Sequence, residues 1–330
     1  MQTINLTEID ALDITILADN VTDMLLPSQG PAKRPPRSRN ATIDARFIRG
    51  GRVGEVFTAE HGFSALVSAT VNGSVRRTLF DAGMTPTGAS ENLRRASVDP
   101  KDIEAIVFSH GHYDHTIGLE GFARQIGRKN LPVILHPEFW TLRRVNFPGR
   151  DPFDMPATSE IALLEAGFQI VQDRRPSFLL DGAVLITGEV SRTADFEKGF
   201  PAQMHEAHRN GRWEDDPLVP DDQALIANLR GKGLVVLTGC GHAGIVNIVT
   251  HAQKLTGISK VHAVIGGFHL SGGVFEQIIP QTIAALKAIA PAVIVPAHCT
   301  GWRAVHGLAA ALPESFIQNS VGTRYEFRAG

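Results

Sequence analysis

The sequence predicts an α/β protein built from two mixed sheets covered by helices, and three observations lead there. Short apolar runs ending in Gly, Asp or His recur through the chain, as strands that stop at a turn do. Strands come first, then strands and helices mix, and that order repeats in the second half, which two sheets fit better than one doubly wound sheet. Of the 330 residues, 43% are hydrophobic and 20% charged. That is the balance of a globular chain with an ample core, and it excludes a disordered or collagen-like one.

Taken in order, residues 14–20 read as a strand ending in a turn. Residues 27–40 carry four prolines and four basic residues (Lys33, Arg34, Arg37, Arg39), a composition that predicts a solvated flap. Strands follow at 63–70 and 77–80, a helix at 90–96, and a new helix starts at Asp99-Pro100. A short apolar strand at 103–108 stops at Ser109, and helical spacing resumes over 117–126. A strand at 132–135 and a helix at 137–144 come next. The pattern weakens between 146 and 175. Residues 183–187 read as a strand, and 192–220 as a polar insertion or lid without a clear period. Strands at 224–228 and 234–238 are expected to pair antiparallel. A helix at 245–255, a strand at 261–265, a helix at 277–289 and a last core strand at 293–295 complete the series.

The formal net charge of −2 gives no electrostatic case for a nucleic-acid partner. No apolar run reaches the roughly 18 residues a membrane helix needs. Cys240 and Cys299 are the only cysteines, which excludes a disulfide framework. Residues 1–13 lack a basic stretch followed by an apolar one, so no secretory signal is read there and a cytoplasmic location is expected.

Histidine carries the chemistry. His110-Gly111-His112-Tyr113-Asp114-His115 leaves a strand and enters a helix. Two residues apart in an extended loop, His110 and His112 point the same way. Three imidazoles and one carboxylate within six residues suit zinc or another borderline metal. Three more histidines each follow a strand directly: His242 in Thr238-Gly-Cys-Gly-His242, His269 in Gly266-Gly-Phe-His269, and His298 in Pro296-Ala-His298. Side chains from several strand ends converge on one pocket. Gly239-x-Gly241-x-x-Gly244 resembles a dinucleotide fingerprint, but no acid lies between Asn247 and Val274 to hold a ribose, so these glycines are read as a tight turn. Cys240 is read as either a ligand or an inert neighbour. Neither cysteine sits in a nucleophilic triad pattern.

His110-x-His112-x-Asp114-His115 after a strand resembles the hallmark of the metallo-β-lactamase superfamily. Leu79-Phe-Asp81-Ala-Gly83 resembles its Asp-x-Gly strand end, and His298 its last metal ligand. A narrower resemblance, to the dihydropterin ribofuranosyl-aminobenzene 5′-phosphate synthase-like group, rests on several motifs. They are Leu17-Ala-Asp-Asn20, Glu60-His-Gly-Phe63, Thr238-Gly-Cys-Gly-His242-Ala-Gly-Ile-Val-Asn247, Gly266-Gly-Phe-His-Leu270 and His298-Cys-Thr-Gly301.

The resemblance implies an αββα four-layer sandwich, with residues 1–330 forming one domain, and a metal-dependent hydrolase. It implies two divalent ions, most readily zinc, with iron or manganese as alternatives. His110, His112 and His242 would hold the first ion, and Asp114, His115 and His298 the second. Asp114 would also orient water and shuttle its proton, and His269 would bind or protonate substrate or act as a further ligand. The substrate would be a small molecule with an ester, lactone, amide or phosphoester bond, with an anionic group as a weaker expectation. A non-hydrolytic or iron-dependent enzyme of the same fold is the alternative. One departure stands out: the superfamily's bridging Asp is replaced by Cys240. Either His242 or Glu189 then fills the place of a missing histidine, or one metal site is weak.

Overall fold

A computed structural model describes residues 3–35, 42–71 and 73–330; Arg37 and Arg39 of the flap lie outside them. Ala11–Ala18 pairs antiparallel with Ser64–Val71, which pairs antiparallel with Ser74–Phe80. From there Ile103–Val107, Leu131–Leu135 and Phe168–Gln172 add in parallel. On the other side, Arg324–Arg328 and Ala32–Lys33 complete an eight-stranded mixed sheet. The second sheet runs Ser177–Leu179, Val184–Ile186, Leu225–Leu229, Gly233–Thr238, Val261–Gly267, Val293–Ala297, with Glu8–Ile9 beside Leu225–Leu229. Leu225–Leu229 and Gly233–Thr238 pair antiparallel, as expected.

The strands alternate, and the alternation makes four layers. Val67, Phe80 and Val107 point inward and meet Val235, Leu237, Ile265 and Val295 of the second sheet. Their neighbours Leu66, Leu79 and Ile106 point outward, against Leu93, Phe122 and Ile126 of the helices Gly88–Arg95 and Leu119–Ile126. On the far side Val236 meets Ile248 and Ala252 of helix Ile245–Thr256. One inner core and two outer ones, each strand feeding two of them by its period of two, give the αββα sandwich.

Several local expectations change. The helix expected at 137–144 is a single 3-10 turn, Pro137–Trp140, and Arg143–Val145 is a strand. Arg143 turns inward there to form ion pairs with Asp216 and Asp221, and those two contacts override helical spacing. The weak stretch 146–175 holds the helix Glu160–Glu165 and the edge strand Phe168–Gln172. The insertion 192–220 contains a hairpin, His205–Arg209 with Arg212–Asp215, closed by Asn210-Gly211 at positive φ. That dipeptide is a hairpin signal, but polar residues on both faces hide the strand period. The strand at 293–295 is not the last: Arg324–Arg328 follows, with Tyr325 and Phe327 buried between exposed Arg324 and Arg328.

In the flap, Arg34 is occupied by Thr323 Oγ1, the Gln318 carbonyl and the Pro27 carbonyl, which removes it as a free anion-binding group. Among the described residues, no helix is long and apolar enough to cross a membrane.

Candidate metal centre

The C-terminal ends of strands from both sheets open toward one place. Asp81 follows Ser74–Phe80, Ser109 to His115 follow Ile103–Val107, Cys240 and His242 follow Gly233–Thr238, His269 follows Val261–Gly267, and His298 follows Val293–Ala297. Asp81, His269 and His298 hold φ of 57°, 44° and 48°, a conformation rare for side-chain-bearing residues and typical of functional turns.

Asp81 fixes the first half. Its carboxylate, fully buried, accepts the Ser109 N–H at 2.7 Å, the Ser109 hydroxyl at 2.7 Å and His115 Nδ1–H at 2.7 Å. Since the Ser109 proton goes to Asp81, Ser109 Oγ is left to accept His110 Nδ1–H at 2.9 Å. One carboxylate therefore assigns two tautomers. His110 Nε2 and His115 Nε2 are lone pairs facing inward.

His112 is held from behind. His205 donates from Nδ1 to the Asp216 carbonyl at 2.7 Å, so its Nε2 accepts His112 Nε2–H at 3.1 Å. His112 Nδ1 then faces inward, 3.0 Å from His110 Nε2 and 3.1 Å from His242 Nε2. Asp221 grips the backbone between His110 and His112, accepting Gly111 N–H at 2.8 Å, and is itself paired with buried Arg143.

The second half reaches this loop because Gly239 has no side chain. A Cβ there would overlap Ser109 Oγ and stand 2.7 Å from Asp81 Oδ2. Beyond Gly239, Cys240 Sγ lies 3.1 Å from His115 Nε2. Asp222 fixes the turn by accepting Ala243 N–H at 2.8 Å. His298 is placed by Asp19, which accepts its N–H at 2.6 Å, and by Asn20, which donates to its carbonyl at 3.0 Å. Its Nε2 faces Asp114 Oδ2 at 3.2 Å.

Three donor groups that share Cys240 result. Asp114, His115, Cys240 and His298 form the first, His110, Cys240 and His242 the second, and Cys240, His269 and Cys299 the third, with donor atoms in each group within 4.8 Å of one another. His112 Nδ1 adjoins the second through its contacts to His110 and His242. Burial and the neighbouring imidazoles hold His110, His112 and His242 well below the ordinary histidine range, so they are neutral at pH 7. Burial would raise Asp114, but His115 and His298 outweigh it and hold the carboxylate below its usual range. Convergent imidazole nitrogens, a carboxylate and a thiol are a donor set for a borderline divalent cation.

The six residues expected to bind metal thus come together. Glu189 does not join them. It is half exposed beside His136 and Arg174, at 3.8 and 3.7 Å, whereas His242 lies within the second group. His269 joins only the third group, with Cys240 and Cys299, its ring 4.1 Å from that of His242 and both its nitrogens without a hydrogen-bond partner. Sequence reasoning missed His205, which no spacing rule singles out. It also passed over His61, whose exposed ring lies 5.4 Å from that of His298. The backbone on either side of His61 is fixed. Glu60 accepts Met84 N–H, and a Cβ on Gly62 would stand 2.6 Å from Met84 N and 2.7 Å from the Asp114 carbonyl oxygen.

The sequence profile of the metallo-beta-lactamase superfamily matches residues 62–251. A 7,8-dihydropterin-6-methyl-4-(beta-D-ribofuranosyl)-aminobenzene-5'-phosphate synthase of Methanocaldococcus jannaschii is 34% identical over 277 residues, 82% of this chain and 91% of that protein. An uncharacterised protein of the same organism is 32% identical over 81% of this chain and 93% of its own. A crystal structure of a metal-dependent hydrolase of the beta-lactamase superfamily superposes with a TM-score of 0.70 at 23% identity, over 96% of this chain and 99% of that one.

Proposed function

Because the chain belongs to the metallo-β-lactamase superfamily, we propose that it is a metal-dependent hydrolase acting on an ester, lactone, amide or phosphoester of a small molecule. The observation that carries this reading is that the first two donor groups adjoin and share Cys240. His110, His112, His242 and Cys240 would hold one divalent ion, and Asp114, His115, His298 and Cys240 the other, zinc being the best match to the donor types. Ions bound there would supply Lewis acidity and lower the pKa of water toward neutrality. Asp114, ionised at neutral pH, orients the attacking water through its carboxylate and carries the proton toward the leaving group. His61, which is exposed, and His269, whose buried ring nitrogens have no protein partner, flank the first two donor groups and would bind or protonate substrate. The hairpin 205–215 closes over His112 and belongs to the lid that shapes specificity.

The synthase relative favours a second reading: a non-hydrolytic metal enzyme, similar to a synthase of a dihydropterin-linked ribofuranosyl-aminobenzene phosphate or iron-dependent in its chemistry. Elemental analysis separates the two. About two equivalents of zinc per chain, falling to about one in His242→Ala, supports the hydrolase, with activity lost in His112→Ala and Asp114→Ala. Iron in place of zinc, with visible absorption, favours the second. Full activity in both variants overturns both readings.

A further inference from the structure

The chain's only two cysteines are 59 positions apart, yet they meet. Cys240 leaves strand Gly233–Thr238 and Cys299 follows strand Val293–Ala297, with Val261–Gly267 between them. The intervening strand ends in Gly266-Gly267. A Cβ on Gly267 would stand 2.8 Å from Cys299 Sγ and 3.1 Å from Cys240 Cα. The missing side chain is what lets residues from the two flanking strands touch across the middle one. The Cys299 thiol donates to the Cys240 carbonyl at 3.2 Å, and both sulfurs lie within 4.8 Å of each other and of a His269 ring nitrogen.

We propose that Cys240 and Cys299 are an oxidisable pair, closed to a disulfide by a hydroperoxide. Their exposure differs in the order the chemistry requires. Cys299 is partly exposed and meets the oxidant, whereas Cys240 is buried behind it. Cys299 sulfur attacks the peroxide O–O bond, taking one oxygen as sulfenic acid and releasing an alcohol, or water from hydrogen peroxide. Its thiol proton passes by way of His269, whose ring nitrogens have no protein partner, to the departing oxygen. Cys240 sulfur then attacks the sulfenic sulfur, the S–S bond forms, the S–O bond breaks, and water leaves with the Cys240 proton. Two thiols are oxidised by two electrons and one peroxide is reduced. On the reading of Cys240 as a donor common to the first two groups, the same step withdraws that sulfur from both.

The test uses the zinc-loaded, reduced protein, treated with hydrogen peroxide, alkylated under denaturing conditions and measured by intact and peptide mass. Expected are loss of two hydrogens, a cross-linked peptide pair containing positions 240 and 299, and recovery of both thiols with dithiothreitol. Cys299→Ser and Cys299→Ala should both leave Cys240 alkylated after the same treatment. A Cys299 that gains two oxygens while Cys240 stays free, or two thiols that survive, overturns the proposal. Zinc released in step with the disulfide supports the shared-donor reading as well. A disulfide without zinc loss upholds the pair and counts against Cys240 as a donor, so the two ideas fail separately.

Discussion

The two halves of the centre are held by different means. The half from the first sheet is one continuous loop, residues 109–115, fixed by side-chain carboxylates from elsewhere. Asp81 holds Ser109 and His115, and Asp221 holds Gly111. The half from the second sheet is assembled from single residues on three strand ends, brought in by glycines that permit close approach. Asp221 and Asp222 sit between the halves. Neighbours in sequence, they face opposite ways, one accepting Gly111 N–H and the other Ala243 N–H, each at 2.8 Å. Gln223 adds two more bonds to the loop half, to the Ser109 and Phe108 carbonyls. A contiguous half can be preorganised by its own anchors, whereas a scattered half needs both sheets packed before its donors exist.

The largest effect should come from Asp81→Ala, since one carboxylate fixes the tautomers of His110 and His115 together. Its removal leaves three buried donors without an acceptor, each at about 1–3 kcal/mol. Zinc affinity, measured by competition with a chromophoric chelator, should fall by about 100-fold. An unchanged affinity would break the claim that the loop half depends on Asp81.

Gly239→Ala attacks the other half. Its Cβ overlaps Ser109 Oγ, so the strand end must retreat from the loop. Stability should drop by about 1–3 kcal/mol, read as the denaturant midpoint. The His110–His112 contact, internal to the loop, should persist in NMR spectra of the imidazole nitrogens. Equal disturbance of all six histidines would erase the distinction between the halves.

His205→Phe is milder. The ring stacks on Phe200 at 4.5 Å and 16°, and a phenyl keeps that packing while deleting the acceptor for His112 Nε2–H. About a 10-fold loss of zinc affinity with little change in stability is expected. A stability loss without an affinity change would make His205 a packing residue only.

The same contrast decides what could be read from the sequence. The loop half was legible because its chemistry lies within seven residues and its flanks are a strand and a helix. His242 and His298 were legible because each follows an apolar strand. His205 was not, because its role depends on a hairpin whose polar strands have no period and on an Asp216 carbonyl that carries no residue signature. Arg143 was misread for a related reason. Its segment has helical spacing, but burial beside Asp216 and Asp221 sets its conformation, and that partnership exists only after the hairpin folds. The pairing of Cys240 with Cys299 was invisible because it depends on an absence, the side chain that Gly267 lacks.

The smallest effect tests how the insertion 192–220 joins the scattered half. Glu197, in the segment 192–200, accepts Val246 N–H at 2.9 Å and Asn247 N–H at 2.8 Å, so it caps helix Ile245–Thr256 just beyond His242. Arg192 reaches the same turn, donating to the carbonyls of His242 and Ala243. Burial pushes Glu197 up to about 7 against those hydrogen bonds and Arg192, and burial likewise pushes Asp222 up to about 7. A carboxyl with a raised folded-state pKa keeps its proton while the unfolded chain has already lost it. Stability therefore falls as pH rises from the ordinary carboxylate range toward about 7 and levels off above, by at most about 3 kcal/mol for Glu197 and about 4 kcal/mol for Asp222. Glu197→Gln removes its share of that slope. The amide mimics the neutral carboxyl, so the variant should be close in stability to the native chain near pH 5 and more stable than it near pH 8. Denaturant midpoints between about pH 5 and 8 should show a shallower decline in the variant, with the remainder due to Asp222. An unchanged slope would mean that the cap does not titrate in this window. The insertion would then be held to the His242 turn by Arg192 and packing alone.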